Sequence, residues 1–378
     1  MNLPKFLCLA STIPPLCLNA AESTGPVLPT SPEYRIEETI VSYRGTGTQD
    51  YLAFPAITPS GDNEILLSHK RGKAHVNDLG AALEIVRFDL ESGRPIQEPI
   101  QLAIPGEAMQ MGEWVRFPDG TLSTYIDALT VDEEGKHIRT GLVRSLSRDN
   151  GKSFGPLERV GIIDGVEYGY LFEAVSIGQR LYALIMTFEY LAGGRKSVDA
   201  LYTDDNGETW HFIRNLSDEF GDVRINESSL IPYKNGFIVA TRGYDNMQRL
   251  HQVDMDFNLI TETNITEETP SISSYIGRPR LFSHDGKLFL IGRNWRAPDR
   301  KIPMELALLR FDPVSLEVEK HFVLDNTEQG KVNDGYYPCP ILVDTGDRKL
   351  LNVFDYRALF GNPPDIVRFQ FRAEEFLD

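Results

Sequence analysis

Glu113 (GEW), Glu173 (FEAV) and Glu227 (NESSL) each interrupt an apolar stretch, as do Arg278 (GRPR) and the pair Tyr336 and Tyr337 (GYYP) further on. Carboxylates move protons, guanidiniums neutralise anions, and a phenol can act as an acid or a nucleophile. Arg71, Arg242, Arg293 and Asp355 close neighbouring apolar runs. In SHKRGKAHVND, Arg71, Lys73 and His75 occupy alternate positions, so a strand there places them on one face. That cluster suits an anionic or polyhydroxylated ligand, and His75 can shuttle protons near neutrality.

These residues need a scaffold that brings distant segments together, and the chain contains one repeated unit. An apolar strand, a glycine turn and a second strand recur around Gly61, Gly120, Gly178, Gly236, Gly286 and Gly346, at spacings of 59, 58, 58, 50 and 60 residues. β-Branched and aromatic residues alternate through these units with almost no helical periodicity, which predicts six small sheets. A four-stranded unit of this size cannot bury both faces alone, so the units must stack. Radial stacking leaves the fewest open edges and predicts an all-β, six-bladed β-propeller over residues 34–378. The strand-like segments Tyr34 to Tyr43 and Asp365 to Phe376 are each short of a blade and together can close the ring. Even spacing argues against the alternative, two β-sandwich domains. In a propeller the first strand of each blade lines the axis, so Glu113, Glu173, Glu227, Arg278 and a tyrosine of GYYP converge there.

About 30 residues after the turn glycines stand Ser147-Arg-Asp149-Asn-Gly151-Lys-Ser153-Phe154 and Thr203-Asp-Asp205-Asn-Gly207-Glu-Thr209-Trp210. The aspartate can accept backbone N–H groups across a tight turn, the glycine permits the turn and the aromatic packs between strands. Degenerate relatives surround Asp89, Asp256 and Asp312. These octapeptides resemble Asp boxes, and with the six-fold repeat the chain resembles the sialidase superfamily. The segment from Glu227 through KNGFIVATRG to Arg242 is similar to the part of bacterial sialidases where a glutamate precedes a turn and an arginine closes the next strand.

That resemblance implies a secreted glycoside hydrolase removing a terminal acidic sugar. It implies Glu227 as the base that activates a tyrosine nucleophile, with Tyr337 preferred over Tyr336, and Arg242 as a ligand of the substrate carboxylate. A phenol suits this task, because an anionic nucleophile is repelled by a carboxylate at the reacting carbon. The acid/base aspartate falls at Asp78. Further carboxylate ligands are sought among Arg71, Arg278, Arg280 and Arg293, with His75 as a substrate contact. One departure is plain: where sialidases carry an arginine in a first-blade FRIP motif, this chain has Leu52-Ala53-Phe54-Pro55. Two other functions fit the same residues. A lyase acting on uronic acids would use His75 and Tyr337 to move protons, and a non-catalytic propeller would only bind glycans.

A net charge of −17 repels phosphate backbones and removes nucleic acid as a partner. Residues 1–22, with Lys5, an apolar run and small residues from Ala20, read as a secretory signal, placing the protein outside the cell or in the periplasm. No second run reaches spanning length, so no membrane insertion is expected. Cys8 and Cys17 would leave with the signal, and Cys339 alone cannot form an internal disulfide or a zinc cluster. No nucleotide-binding loop is present, and no cofactor is expected.

Overall fold

The computed structural model describes residues 35–42, 50–76, 78–187, 197–296, 303–326, 332–346, 348–359 and 361–377. The signal expected at 1–22, with Cys8 and Cys17, lies outside them. Six antiparallel sheets follow one another along the chain, as the glycine spacing predicts. The fourth blade shows the plan most simply: Ile225–Tyr233, Gly236–Gly243, Gln248–Asp254 and Leu259–Asn264 pair in sequence order. All six glycines of the repeat lie at the hairpin joining the first and second strands of a blade.

First strands of successive blades touch one another around the whole circuit, including the sixth against the first. Ring closure uses both ends of the chain. Arg35–Ser42 pairs antiparallel with Asp365–Arg372 and forms the outer strand of the sixth blade, beyond Lys349–Leu359. An unclosed propeller would expose two sheet edges, and this pairing removes the break from the ring. Apolar side chains fill the spaces between neighbouring blades. Leu66, Ile85, Trp114 and Ile126 pack between the first and second, and Phe289, Leu306, Val353 and Phe369 between the fifth and sixth.

The Asp boxes lie at the turn after the third strand, on the side of the ring where the glycine hairpins are. Asp149 Oδ1 accepts from the Ser153 amide (2.9 Å) and the Ser147 hydroxyl (2.8 Å), and Asp205 repeats this with Thr209 N (2.9 Å) and Thr203 (2.8 Å). Each box also reaches the preceding blade. Asn150 Nδ2 donates to the Ser60 carbonyl (2.5 Å), and Arg144 donates to the Gly207 carbonyl (2.5 Å).

At the opposite mouth every first strand loses register. The breaks fall between Ala53 and Ala56, Met109 and Met111, Tyr168 and Glu173, Ile225 and Ser228, Gly277 and Arg280, and Val332 and Asp334. Bulges re-aim side chains that an unbroken strand would send up or down the pleat. They are where the site is built.

Candidate active site

Glu227 sits in the bulge of the fourth blade, and its carboxylate is held on every side. Oε1 accepts the Tyr337 hydroxyl at 2.5 Å. Oε2 accepts Arg242 Nη1 and, at 2.9 Å, the backbone amide of Arg278. Burial alone would raise this carboxyl, but Arg242, the Tyr337 hydroxyl and the Arg278 amide outweigh it and hold it at about 2. Glu227 is therefore a carboxylate and Tyr337 the donor. Burial, then the Glu227 charge, raise the phenol well above its ordinary value, with Arg293 and Arg242 acting against them.

Tyr337 enters from the sixth blade, where the first strand is split into Val332–Gly335 and Cys339–Asp344. Its amide donates to Asp355 Oδ1 at 2.7 Å. Tyr336 has φ 58°, which turns its side chain the other way, and its hydroxyl donates to Asp325 at 2.7 Å in the core between the fifth and sixth blades. Of the two tyrosines, Tyr337 is thus the one beside Glu227. Arg242 donates Nη2 to the Tyr275 hydroxyl (2.9 Å) and lies 3.9 Å over that ring. The Arg293 guanidinium lies 4.9 Å from the Tyr337 ring centre and 4.8 Å from that of Trp295, with Nη1 donating to the Gly335 carbonyl at 3.0 Å.

Above this group is a pocket of about 200 Å3, lined by Phe54, His75, Gln110, Tyr170, Glu227 and Tyr337 among others. Phe54, at φ 57° in the first-blade bulge, places its ring 5.0 Å from His75 and 5.6 Å from Tyr337. His75 Nδ1 is 2.8 Å from Asp334 Oδ2 and 3.1 Å from the Tyr51 hydroxyl. Asp334 also accepts from Tyr356 (2.8 Å) and Tyr51. Burial raises its carboxyl, yet the bonds from His75 and Tyr51 and the nearby Arg293 hold it at about 2. Such a carboxylate fixes an imidazole's orientation through the nitrogen it faces.

Several residues singled out by sequence stand elsewhere. Arg71 forks onto Glu84 (2.7 and 2.9 Å) and reaches Asp50 (3.0 Å), where Lys73 also ends (2.6 Å). Asp78 is buried under its own turn, with Oδ2 accepting from the amides of Lys73 (2.5 Å) and Ala74 (3.1 Å). Arg278 sends its guanidinium down the channel to Glu113 (2.5 Å) and the Phe172 carbonyl (3.1 Å). There Arg280 joins Glu113 to Glu173 (3.0 Å). Glu113, Glu173 and Arg280 face a second cavity of about 530 Å3 that opens on the hairpin side. Arg71, Asp78, Arg278 and Arg293 do not line the upper pocket. Asp334, Phe54, Tyr51 and Gln110 do belong to it or its rim and were not read from the sequence. Asp334 alone had a local signal, standing immediately before GYYP.

Among the described residues no group of three or more His, Cys, Asp or Glu side chains is arranged to hold a metal ion, and no helix is long and apolar enough to cross a membrane. No protein-family model matches the chain, and no curated protein matches it in sequence. Solved structures do resemble it. A Dyadobacter fermentans protein of unknown function shares 16% identity over 89% of this chain and 98% of its own, with a TM-score of 0.71. The Trypanosoma rangeli sialidase bound to sialic acid shares 13% identity over 89% of this chain, which spans 57% of that enzyme, with a TM-score of 0.56. The Fusarium graminearum α-L-arabinofuranosidase shares 10% identity over 91% of this chain and 100% of its own, with a TM-score of 0.60. At these identities the likeness is one of fold, a six-bladed propeller.

Proposed function

We propose that this protein is a glycoside hydrolase that removes a terminal sugar by double displacement, with Tyr337 as nucleophile and Glu227 as its base. The observation that carries the reading is the 2.5 Å bond from the Tyr337 hydroxyl to Glu227, in a small pocket that also holds His75. In the first step the phenol oxygen attacks the anomeric carbon while its proton passes to Glu227. The glycosidic bond breaks as protonated His75 gives its proton to the departing oxygen. In the second, water attacks the same carbon, losing a proton to His75, and the phenol recovers its proton from Glu227. Arg242 and Arg293 stabilise the phenolate character that develops on Tyr337. Asp334 orients His75, which takes the acid/base role that the resemblance assigned to Asp78.

A pocket of about 200 Å3 fits one sugar ring and favours action at a chain end. The sialidase and arabinofuranosidase of similar fold both act on sugars, which supports a carbohydrate substrate. With the export implied by residues 1–22, that substrate would be an extracellular or periplasmic glycan. An acidic ring, the finer expectation, has the support of Arg242 and not of a full three-arginine clamp, since Ala53, Arg71 and Arg278 contribute no cation to the pocket. The test is release of fluorophore from N-acetylneuraminic, glucuronic and neutral pentose glycosides by wild type and Tyr337→Phe. Turnover lost in the variant supports the reading, and turnover retained there rules out this nucleophile. Because His75 and Tyr337 both face Phe54, β-elimination from a uronic acid is a second reading, recognised by an ultraviolet-absorbing unsaturated product.

A further inference from the structure

The turn after Gly72 carries His75 into the pocket, and one buried cation holds that turn. Lys70 lies in the second strand of the first blade, Glu64–Gly72, and its side chain is fully buried. An ammonium withdrawn from water needs acceptors for its protons and a counter-charge. Lys70 Nζ donates to the carbonyls of Ala74 (2.7 Å) and His75 (3.0 Å) and to Gln110 Oε1 (3.1 Å). Asp78 Oδ2 stands 3.4 Å away. Three protons thus meet three acceptors beside one carboxylate, and two of those acceptors are carbonyls of the turn itself.

The other attachments reinforce the same turn. Gln110, from the second-blade bulge, donates Nε2 to the His75 carbonyl at 2.7 Å. Asp78 fastens the amides of Lys73 and Ala74. With its backbone held this way, the His75 ring meets Asp334 and packs edge-on against Phe54.

Resting on the reading of His75 as acid/base, we propose that Lys70 is a positioning residue whose buried ammonium fixes the turn that presents His75 to the pocket. A neutral amine keeps two N–H donors for three acceptors and leaves Asp78 unbalanced, so the clamp depends on the charge. Burial, opposed by Asp78, brings the Lys70 ammonium down to about 8. Asp78 is the charged group that faces it, while Gln110 and the two carbonyls are neutral.

The test compares wild type, Lys70→Gln and Lys70→Arg as full chains, by steady-state kinetics on a turned-over glycoside and by hydrogen exchange. Lys70→Gln is expected to lower kcat by about 30-fold or more with KM within about threefold. It should also remove the part of the alkaline decline of kcat that Lys70 contributes, expected above about pH 8, and speed exchange of the Lys73 and Ala74 amides by about tenfold. Lys70→Arg should regain most of kcat and move the decline to higher pH. An unchanged kcat and pH profile, or unchanged exchange at those two amides, overturns the proposal. If wild type turns over no glycoside, the hydrolase reading fails and the exchange comparison alone decides whether Lys70 holds the turn. Should Lys70→Gln not fold, Gln110→Leu removes one bond to the His75 carbonyl and keeps the charge pair. It should then speed the same exchange, and no effect there overturns the clamp.

Discussion

The Tyr337 hydroxyl and the Glu227 carboxylate lie 2.5 Å apart across the ring, although 110 residues separate them in the chain. With Glu227 held at about 2 and the phenol raised, the proton sits on tyrosine at rest and has a carboxylate ready to receive it. Glu227→Gln removes that acceptor and is expected to lower kcat by about 10²–10⁴-fold. Tyr337→Phe should cost at least as much. The two residues act as one unit, so the double variant should be no slower than the worse single one. Initial rates on one glycoside decide this, and a Glu227→Gln enzyme of near wild-type rate would remove Glu227 from the mechanism.

Arg278 serves two ends of the channel from one strained backbone position. Its φ of 46° turns the amide up to Glu227 while the guanidinium runs down to Glu113. Replacing the side chain therefore disturbs stability more than substrate affinity. Arg278→Met leaves Glu113 with Arg280 as its arginine partner and is expected to cost about 2–3 kcal/mol. KM should stay within about twofold, since the side chain does not line the pocket. A large rise in KM with unchanged melting temperature would return Arg278 to the substrate.

What the sequence revealed and what it concealed divide along the same line, local against non-local. Glycine hairpins and Asp boxes are turn chemistry, written in adjacent residues, and with their spacing they led to six blades and to closure by the two chain ends. That Glu227, Arg242 and Tyr337 stand at one mouth was legible because a propeller brings the start of each first strand and the end of the paired second strand there. Arg71 and His75 were grouped by alternation, but the strand ends at Gly72. Beyond it the alternation lapses, so Arg71 and Lys73 turn to Asp50 while His75 turns to Asp334. Asp334 lies 259 residues from His75, and only ring closure joins them. The bulges hid the rest: Phe54, Gln110 and Arg278 point where they do because register slips beneath them.

The Asp-box glycines allow a test of how neighbouring blades are clipped together. Gly151 has φ 80°, and a Cβ there would come within 2.0 Å of Leu66 Cδ1 in the first blade. Gly207, also at φ 80°, would press its Cβ to 2.6 Å from Phe117 in the second. Each alanine variant combines backbone strain with overpacking and should lose about 2–4 kcal/mol, read as a lower melting temperature. Activity per folded molecule should be unchanged, because the boxes lie at the mouth opposite the pocket. A loss of kcat without a loss of stability would contradict that separation.

Acid should loosen the fold through the same carboxylates that build the site. Glu227 falls from its ordinary 4.5 to about 2 in the folded chain, and Asp334 from 3.8 to about 2. In that interval the unfolded chain binds protons that the folded one refuses. The stability from these groups is therefore complete above about pH 4.5 and drains away as pH falls towards 2. For Glu227 the drop is of order 3 kcal/mol. Thermal unfolding followed from pH 6 to about pH 2.5 should show this decline. In Glu227→Gln the starting stability should be lower, because Arg242 loses its buried partner, but the slope over the same interval should be shallower. Parallel slopes in the two proteins would mean that the Glu227 carboxylate is not held below its ordinary range, and would weaken its assignment as the resting base for Tyr337.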